Sequence, residues 1–275
     1  MTAHVASTHG ATEEATTSAG NVIVECHDGV LTVTINRPAR RNALDFRTVH
    51  QLIGVFTGRA RESDIRVVVL TGTEQSFCAG ADLQSVMADP DKPTVDDVMA
   101  GADSLVHAVL DLPVPVIAKV RGAAAGFGLS LALTADLVVA AENAHFVLSF
   151  VKRAAMPDGG ASLLVPAAIG RARAAAMAML GEPLSATRAQ EIGLIHRICR
   201  ENDLDAAVDE LAHKLARGPQ RALQLTKQAV NAATIGQLDA ALRREREGQM
   251  MLLLSPDFLE AVLAFVQHRD PQFQH

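Results

Sequence analysis

Apolar and polar positions change period along the chain, and the changes divide it into elements. Val22 to His27 and Leu31 to Asn36 alternate or run apolar on either side of Asp28-Gly29. That is the strongest short-range signal for a β-hairpin. Pro38 stops the second strand because it cannot donate to a ladder. Asn42-Ala43-Leu44-Asp45 then leads into a helix predicted over about 46–62, with Val49, Leu52, Ile53 and Phe56 on one face. Ile65 to Thr71 is a β-branched run that reads as a strand buried on both faces. A charged loop with Pro90 and Pro93 precedes a helix predicted from about Val95 to Leu110. Further strands are expected at Val114–Val120, Leu137–Ala141 and His145–Leu148. From Ala161 onward the period is almost wholly helical, as in Leu204–Ala216, Ala222–Ala233, Leu238–Leu254 and Phe258–Gln267, with a short strand at Ile195–Cys199. The pattern describes an α/β core to about residue 200 and a helical tail. No linker rich in Gly, Pro or Ser separates a second domain.

Two of the strand exits are alike. The run Arg66 to Gly72 continues to Phe77-Cys78-Ala79-Gly80-Ala81-Asp82-Leu83, and Val114–Val120 continues to Gly122-Ala123-Ala124-Ala125-Gly126-Phe127-Gly128-Leu129-Ser130. Residues this small leave their backbone N–H groups uncovered, and Gly80 permits a sharp turn. Asp82 suits the cap of a following helical turn. Either exit alone reads as a tight strand-to-helix turn. Together they can aim two amides at one point, as the enolate oxygen of a thioester requires, and one such donor is worth ~10²–10³ in rate.

Composition narrows the partners. A net charge of −6 with no basic run argues against nucleic acid, and the absence of Trp and Tyr leaves stacking to nine Phe. Cys26, Cys78 and Cys199 lie far apart and match no zinc spacing, which fits reduced thiols in a cytoplasmic protein. No apolar run approaches the ~18 residues of a membrane span. Met1 to Gly20 is rich in Thr, Ala and Ser without the apolar centre of a secretory signal, so 1–20 is expected to be a disordered leader.

Five motifs fall in one order: Ile35-Asn36-Arg37-Pro38, Asn42-Ala43-Leu44, Phe77 to Leu83, Gly122-x-Ala124-x-Gly126-x-Gly128 and Leu131-Ala132-Leu133. In this the chain resembles the enoyl-CoA hydratase/isomerase (crotonase) superfamily over about residues 20 to 273. The resemblance implies a spiral of ββα repeats over 21–200 and a helical trimerisation region over 201–275. It implies homotrimers or dimers of trimers, an acyl-CoA substrate, and neither metal nor redox cofactor. It makes Ala81 and Phe127 the two oxyanion amides, although many members have Gly or Ala at the second. Ala43, Leu44, Ala79, Asp82 and Leu83 fall where the family cradles pantetheine and adenine. Gly80, Ala123, Ala125, Ser130, Phe150 and Pro157 are further expected substrate positions. Arg37 is a candidate for a phosphate contact beside its plainer reading as a solvated charge. Phe265 and Arg269 are candidates to meet coenzyme A from a neighbouring subunit.

The reaction depends on side chains. Hydratases of this family use two glutamates, and the matching positions hold Ser130 and Phe150, neither of which is a carboxylate base. Asp158 follows Pro157 and precedes Gly159-Gly160, a stretch similar to that of phenylacetate-pathway-type enoyl-CoA isomerases. One carboxylate is sufficient for a 1,3-proton shift, and an apolar neighbour such as Phe150 would raise its pKa. The resemblance therefore implies an isomerase with Asp158 as sole acid/base. The alternatives are a hydratase with atypical residues and a non-catalytic acyl-CoA-binding protein. Asp158 also suits a plain cap for the helix near Ala161. His107 and His145 read as structural or exposed histidines.

Overall fold

The computed structural model describes residues 17–73, 76–82 and 93–274. Asp28 and Gly29 both take positive φ (50° and 79°), the conformation that a two-residue turn between right-twisted strands requires. They join β2 (Val22–His27) to β3 (Val30–Ile35) as the pattern predicts. A short strand, β1 (Thr17–Ala19), pairs antiparallel with β2. It takes up the last part of the stretch expected to be a leader, because β2 offers it an open edge.

The helix expected over 46–62 is shorter. Asp45 caps α1 (Phe46–Thr57) by accepting from Thr48 N–H, and Gly58 ends it at φ −105°, ψ −100°, after which Arg59–Arg61 make a 3₁₀ turn. Thr94 and Asp97 form a capping box for α2 (Val95–Leu110), at the predicted bounds.

From β4 onward the chain repeats one excursion. β4 (Val67–Gly72), β6 (Val116–Val120) and β8 (Leu137–Ala141) lie side by side and parallel in a seven-stranded sheet ordered β1-β2-β3-β4-β6-β8-β11, the last strand being Arg197–Cys199. Each is followed by a three-residue strand in a second sheet: β5 (Ser76–Cys78), β7 (Ala123–Ala125) and β9 (His145–Val147), again adjacent and parallel. After these come α2, α3 (Phe127–Leu133) and α4 (Ala161–Ile169) in turn. Three such ββα units wind the two sheets together, with β10 (Leu184–Ser185) closing the smaller one. The two-residue β10 left no period to read. The strands predicted at Ile65 and Val114 begin two residues later, at Val67 and Val116.

β4 is apolar from Val67 to Leu70 because it has two cores to fill. Val68 and Leu70 join the main core between the sheets, while Val67 and Val69 pack with Ile117 and Val139 against Leu204, Val208, Ala212 and Ala216 of α7 (Leu204–Ala216). Full burial of a side chain of this size contributes about 1.5–3 kcal/mol. The remaining elements are α5 (Arg171–Leu180), α6 (Ala186–Glu191), β11 (Arg197–Cys199), α8 (Gln220–Ile235), α9 (Leu238–Leu252) and α10 (Pro256–Val266). Among the described residues, no single helix is long and apolar enough to cross a membrane.

Candidate active site

The turn after β5 consumes most of its own amides. Ala79 N–H donates to Arg41 O at 3.1 Å and Asp82 N–H to Leu44 O at 2.9 Å. Gly80 N–H points to the Cys78 sulfur at 3.4 Å. Leu44 closes the turn from the other side, its N–H on Gly80 O at 2.8 Å. Only Ala81 N–H finds no acceptor among the described residues. The second turn is alike. Gly126, at φ 52° and ψ −127°, donates to Val147 O, and its own carbonyl accepts from both Leu129 and Ser130. That leaves the amides of Phe127 and Gly128, the first residues of α3, without acceptors among the described residues.

The two turns touch. A Cβ on Gly80 would stand 2.8 Å from Ala125 O and 3.5 Å from Phe127 N. One on Gly128 would meet Cys78 O at 2.3 Å, a separation real Cβ atoms do not adopt. Glycine at 80 and 128 is therefore what lets the two turns come this close. The Cys78 thiol beneath them is pushed up to about 12 by burial, which leaves it a neutral packing group.

Asn42 and Arg37 hold the first turn from below. Asn42 is fully buried; its Nδ2 donates to Thr73 O and Ser76 O, and its Oδ1 accepts from Arg37 N–H and Thr73 Oγ1. All its bonding positions are filled. Arg37 is neither a solvated charge nor open to a phosphate. Its guanidinium is 12% exposed and lies 2.9 Å from both Asp45 and Asp82 carboxylates, with a further bond to Ala43 O. The Pro38 turn folds it inward. Asp82 is thus fixed from its side-chain end; the helical turn it was expected to cap, and Leu83, lie outside the described residues.

Asp158 stands beside the second turn. Gly159, at φ 65°, has no room for a Cβ, which would come 2.6 Å from the Phe127 ring and 2.9 Å from Ser130 Cβ. The Phe127 side chain therefore packs over the Asp158-Gly159 peptide while its amide faces the first turn. Phe150 is 9% exposed and approaches Gly126 from the other side, its ring tip 3.9 Å from where a Cβ would be. Ser130 is fully buried, and its hydroxyl donates to Asp158 O at 2.7 Å. It braces the turn as a donor.

The Asp158 carboxyl does not cap α4. That task falls to Glu245 of α9, fully buried, which accepts from Gly160 N–H at 2.7 Å and Ser162 N–H at 2.8 Å. Asp158 Oδ2 accepts from Gln249 Nε2 at 2.8 Å, and Oδ1 is buried with no partner. Burial pushes this carboxyl up to about 7, against the pull of the Gln249 hydrogen bond and with a further push from Glu245 and Asp103. Asp103, on α2, is itself raised to about 6 by burial.

The other expected positions divide. Ala43 and Leu44 are buried beneath the first turn, whereas Ala79, Ala123, Ala125 and Pro157 are partly exposed around the two turns. His107 faces Asp239 at 3.3 Å, and His145 is exposed on β9. Phe265 lies under the Arg153 guanidinium at 4.3 Å, and Arg269 is paired with Glu260. A cleft of about 450 Å³ between α1, α2 and α9 is lined by Asp103, Ser104, His107 and Arg246. None of Ala81, Phe127, Ser130, Phe150 or Asp158 lines it. Sequence reasoning missed Glu245 and Gln249. Their signal was present: with Ala241 they recur every four residues along the buried stripe of α9, two polar residues where apolar ones belong.

Among the described residues, no three His, Cys, Asp or Glu side chains are grouped to hold a metal ion. The family model described as enoyl-CoA hydratase/isomerase matches residues 25–275. The chain is 40% identical over 255 residues to the 1,2-epoxyphenylacetyl-CoA isomerase of Escherichia coli (strain K12), covering 92% of this chain and 97% of that one. It is 35% identical over 254 residues to the 2,3-dehydroadipyl-CoA hydratase of the same organism, covering 92% and 98%. A crystal structure of an enoyl-CoA hydratase from Mycobacterium avium subsp. paratuberculosis K-10 superposes with a TM-score of 0.87 at 41% identity, over 94% of this chain and 100% of that one. With its paired turns, its wound ββα units and these relatives, the chain belongs to the enoyl-CoA hydratase/isomerase (crotonase) superfamily.

Proposed function

We propose that the protein is an enoyl-CoA isomerase that moves a double bond by a 1,3-proton shift, with Asp158 as its sole acid/base. The thioester carbonyl oxygen of a 3-enoyl-CoA accepts hydrogen bonds from the amides of Ala81 and Phe127. Asp158, ionised, removes a proton from C2. The electron pair spreads over a dienolate whose oxygen the two amides stabilise. Asp158 then returns the same proton to C4, giving the 2-enoyl thioester and regenerating the carboxylate. A carboxyl that titrates near 7 suits both halves of this cycle at neutral pH.

The observation that carries the reading is the pairing of an Asp158 carboxyl whose Oδ1 is buried and unpartnered with the absence of carboxylates at Ser130 and Phe150. The Ser130 hydroxyl is occupied as a donor to a carbonyl, so it does not stand in for a base. The 40%-identical E. coli relative is named an isomerase, in keeping with this reading, whereas the 35%-identical one is named a hydratase.

Incubation with 3-enoyl-CoA and 2-enoyl-CoA thioesters separates the possibilities. The expected product is 2-enoyl-CoA from the 3-enoyl substrate, with a loss of ~10³ or more in kcat for Asp158→Asn. Formation of 3-hydroxyacyl-CoA from the 2-enoyl substrate would replace the isomerase reading with a hydratase. Thioester binding with no turnover of either substrate would replace it with a non-catalytic binder. We further propose that the chain assembles as a trimer or dimer of trimers through its helical tail.

A further inference from the structure

We propose that Gln249 of α9 is the positioning residue of the Asp158 carboxyl, fixing Oδ2 as the acceptor end and leaving Oδ1 as the oxygen that exchanges the proton. The inference rests on the isomerase reading above for its catalytic meaning, but its geometry is independent of it. Gln249 is 2% exposed, and each of its polar atoms is used on one short segment. Nε2 donates to Met156 O at 2.9 Å and to Asp158 Oδ2 at 2.8 Å, and Oε1 accepts from Met156 N–H at 3.4 Å. The orientation of the amide follows from these partners, since Met156 O can only accept and Met156 N–H can only donate.

One helix turn earlier on the same stripe, Glu245 fixes Gly160 and Ser162. The two side chains clasp the loop on both sides of Asp158, so α9 sets where that carboxyl stands. Gly248 allows the close approach: a Cβ there would come 2.1 Å from the Met156 sulfur.

The surroundings of Asp158 make this contact matter. The charged groups facing it are Glu245 from α9 and Asp103 from α2, both acidic. Arg246, also on α9, is bound at 2.6 Å to Asp96 and stands 4.0 Å from Asp103. α3 contributes only the Phe127 ring and the Ser130 hydroxyl, whose bond goes to the backbone carbonyl of Asp158. The Gln249 amide is thus the one hydrogen-bond donor to this carboxylate among the described residues. It favours the charged form, so its removal raises the pKa and lets Oδ2 take the proton.

The test compares wild type with Gln249→Leu, which keeps the volume, and Gln249→Glu, which keeps the Met156 N–H acceptor but removes the donor. The readouts are the Asp158 titration, followed by ¹³C-carboxyl NMR and identified by its loss in Asp158→Asn, and the kcat–pH profile with a 3-enoyl-CoA. In both variants the Asp158 titration and the acid limb of kcat are expected to move up by about one pH unit. At the pH optimum kcat should fall roughly tenfold with KM little changed. In an Asp158→Asn background Gln249→Leu should add no further loss. A uniform loss of kcat at all pH values with the Asp158 titration unmoved would make Gln249 merely structural and overturn the proposal. The NMR arm needs no turnover. A moved titration in a protein whose turnover survives Asp158→Asn would sink the isomerase reading while leaving the Gln249 contact in place.

Discussion

Asp158 prefers its neutral form in the folded chain, and that preference links its pH to stability. Its carboxyl is raised from 3.8 to about 7 by burial, so between these values the folded protein holds a proton that the unfolded chain has released. Stability therefore falls as pH rises through this window and is greatest below it. Asp158→Asn keeps an oxygen for Gln249 and carries no charge. It is expected to leave the melting temperature unchanged near pH 4 and to raise stability at pH 8 by on the order of 2 kcal/mol. Thermal melts at the two pH values check this. Phe127 offers a cleaner probe of its amide. As the first residue of α3 it occupies a position where proline is tolerated. Phe127→Pro, compared with Phe127→Ala, deletes the N–H with the ring already absent. The comparison is expected to cost ~10²–10³ in kcat. Equal rates for the two variants would remove Phe127 from the oxyanion role.

Elements were legible where one period ran long enough and its ends carried their own chemistry. The β2–β3 hairpin has Asp28-Gly29, α2 has Thr94 and Asp97, and α7 keeps its apolar stripe from end to end. α1 was overrun because its apolar spacing continues past Gly58, where only the backbone breaks. α9 was read correctly as a helix and incompletely as a surface. A buried glutamate or glutamine in a helix has the same letter as an exposed one, and only the partner it meets tells them apart. Arg37 was missed for the same reason, since Asp45 and Asp82 are near it only in the fold. Glu245→Ala would leave the Gly160 amide buried without an acceptor and strip the Ser162 amide of its partner. A loss of about 2–4 kcal/mol is expected in urea denaturation. Gly128→Ala should act more on rate than on stability. Its Cβ would collide with Cys78 O and separate the two turns, so kcat should drop ~10²-fold while binding of the thioester persists.

In the whole molecule the helical tail has two faces with different tasks. The inner face of α9 reaches the site through Glu245 and Gln249. Outward, Met251 (72% exposed), Leu254 (69%), Leu259 (55%) and Leu263 (47%) leave an apolar surface along α9 and α10. Surface of this kind, in this family, is what the proposed assembly would cover. Light scattering is expected to give a multiple of the 29.1 kDa chain, and Leu259→Asp with Leu263→Asp to reduce it. An unchanged mass for the double variant would move the interface elsewhere. The two-sheet spiral itself was not visible in any one stretch. It follows from three strand pairs entering two sheets in the same order, which only the pairing reveals.

The two free amides have a consequence for how such a protein can change. A catalytic side chain is lost by almost any substitution, but a backbone N–H belongs to every residue except proline. At positions 81 and 127 mutation can alter bulk and polarity while the hydrogen-bond donors persist, provided that glycine at 80 and 128 keeps the turns together. In the proposed reading, the capacity to hold an enolate is thereby separated from the choice of what to do with it. On that reading, changes at 130, 150 and 158 can then alter the reaction while the turns that hold the thioester oxygen stay in place.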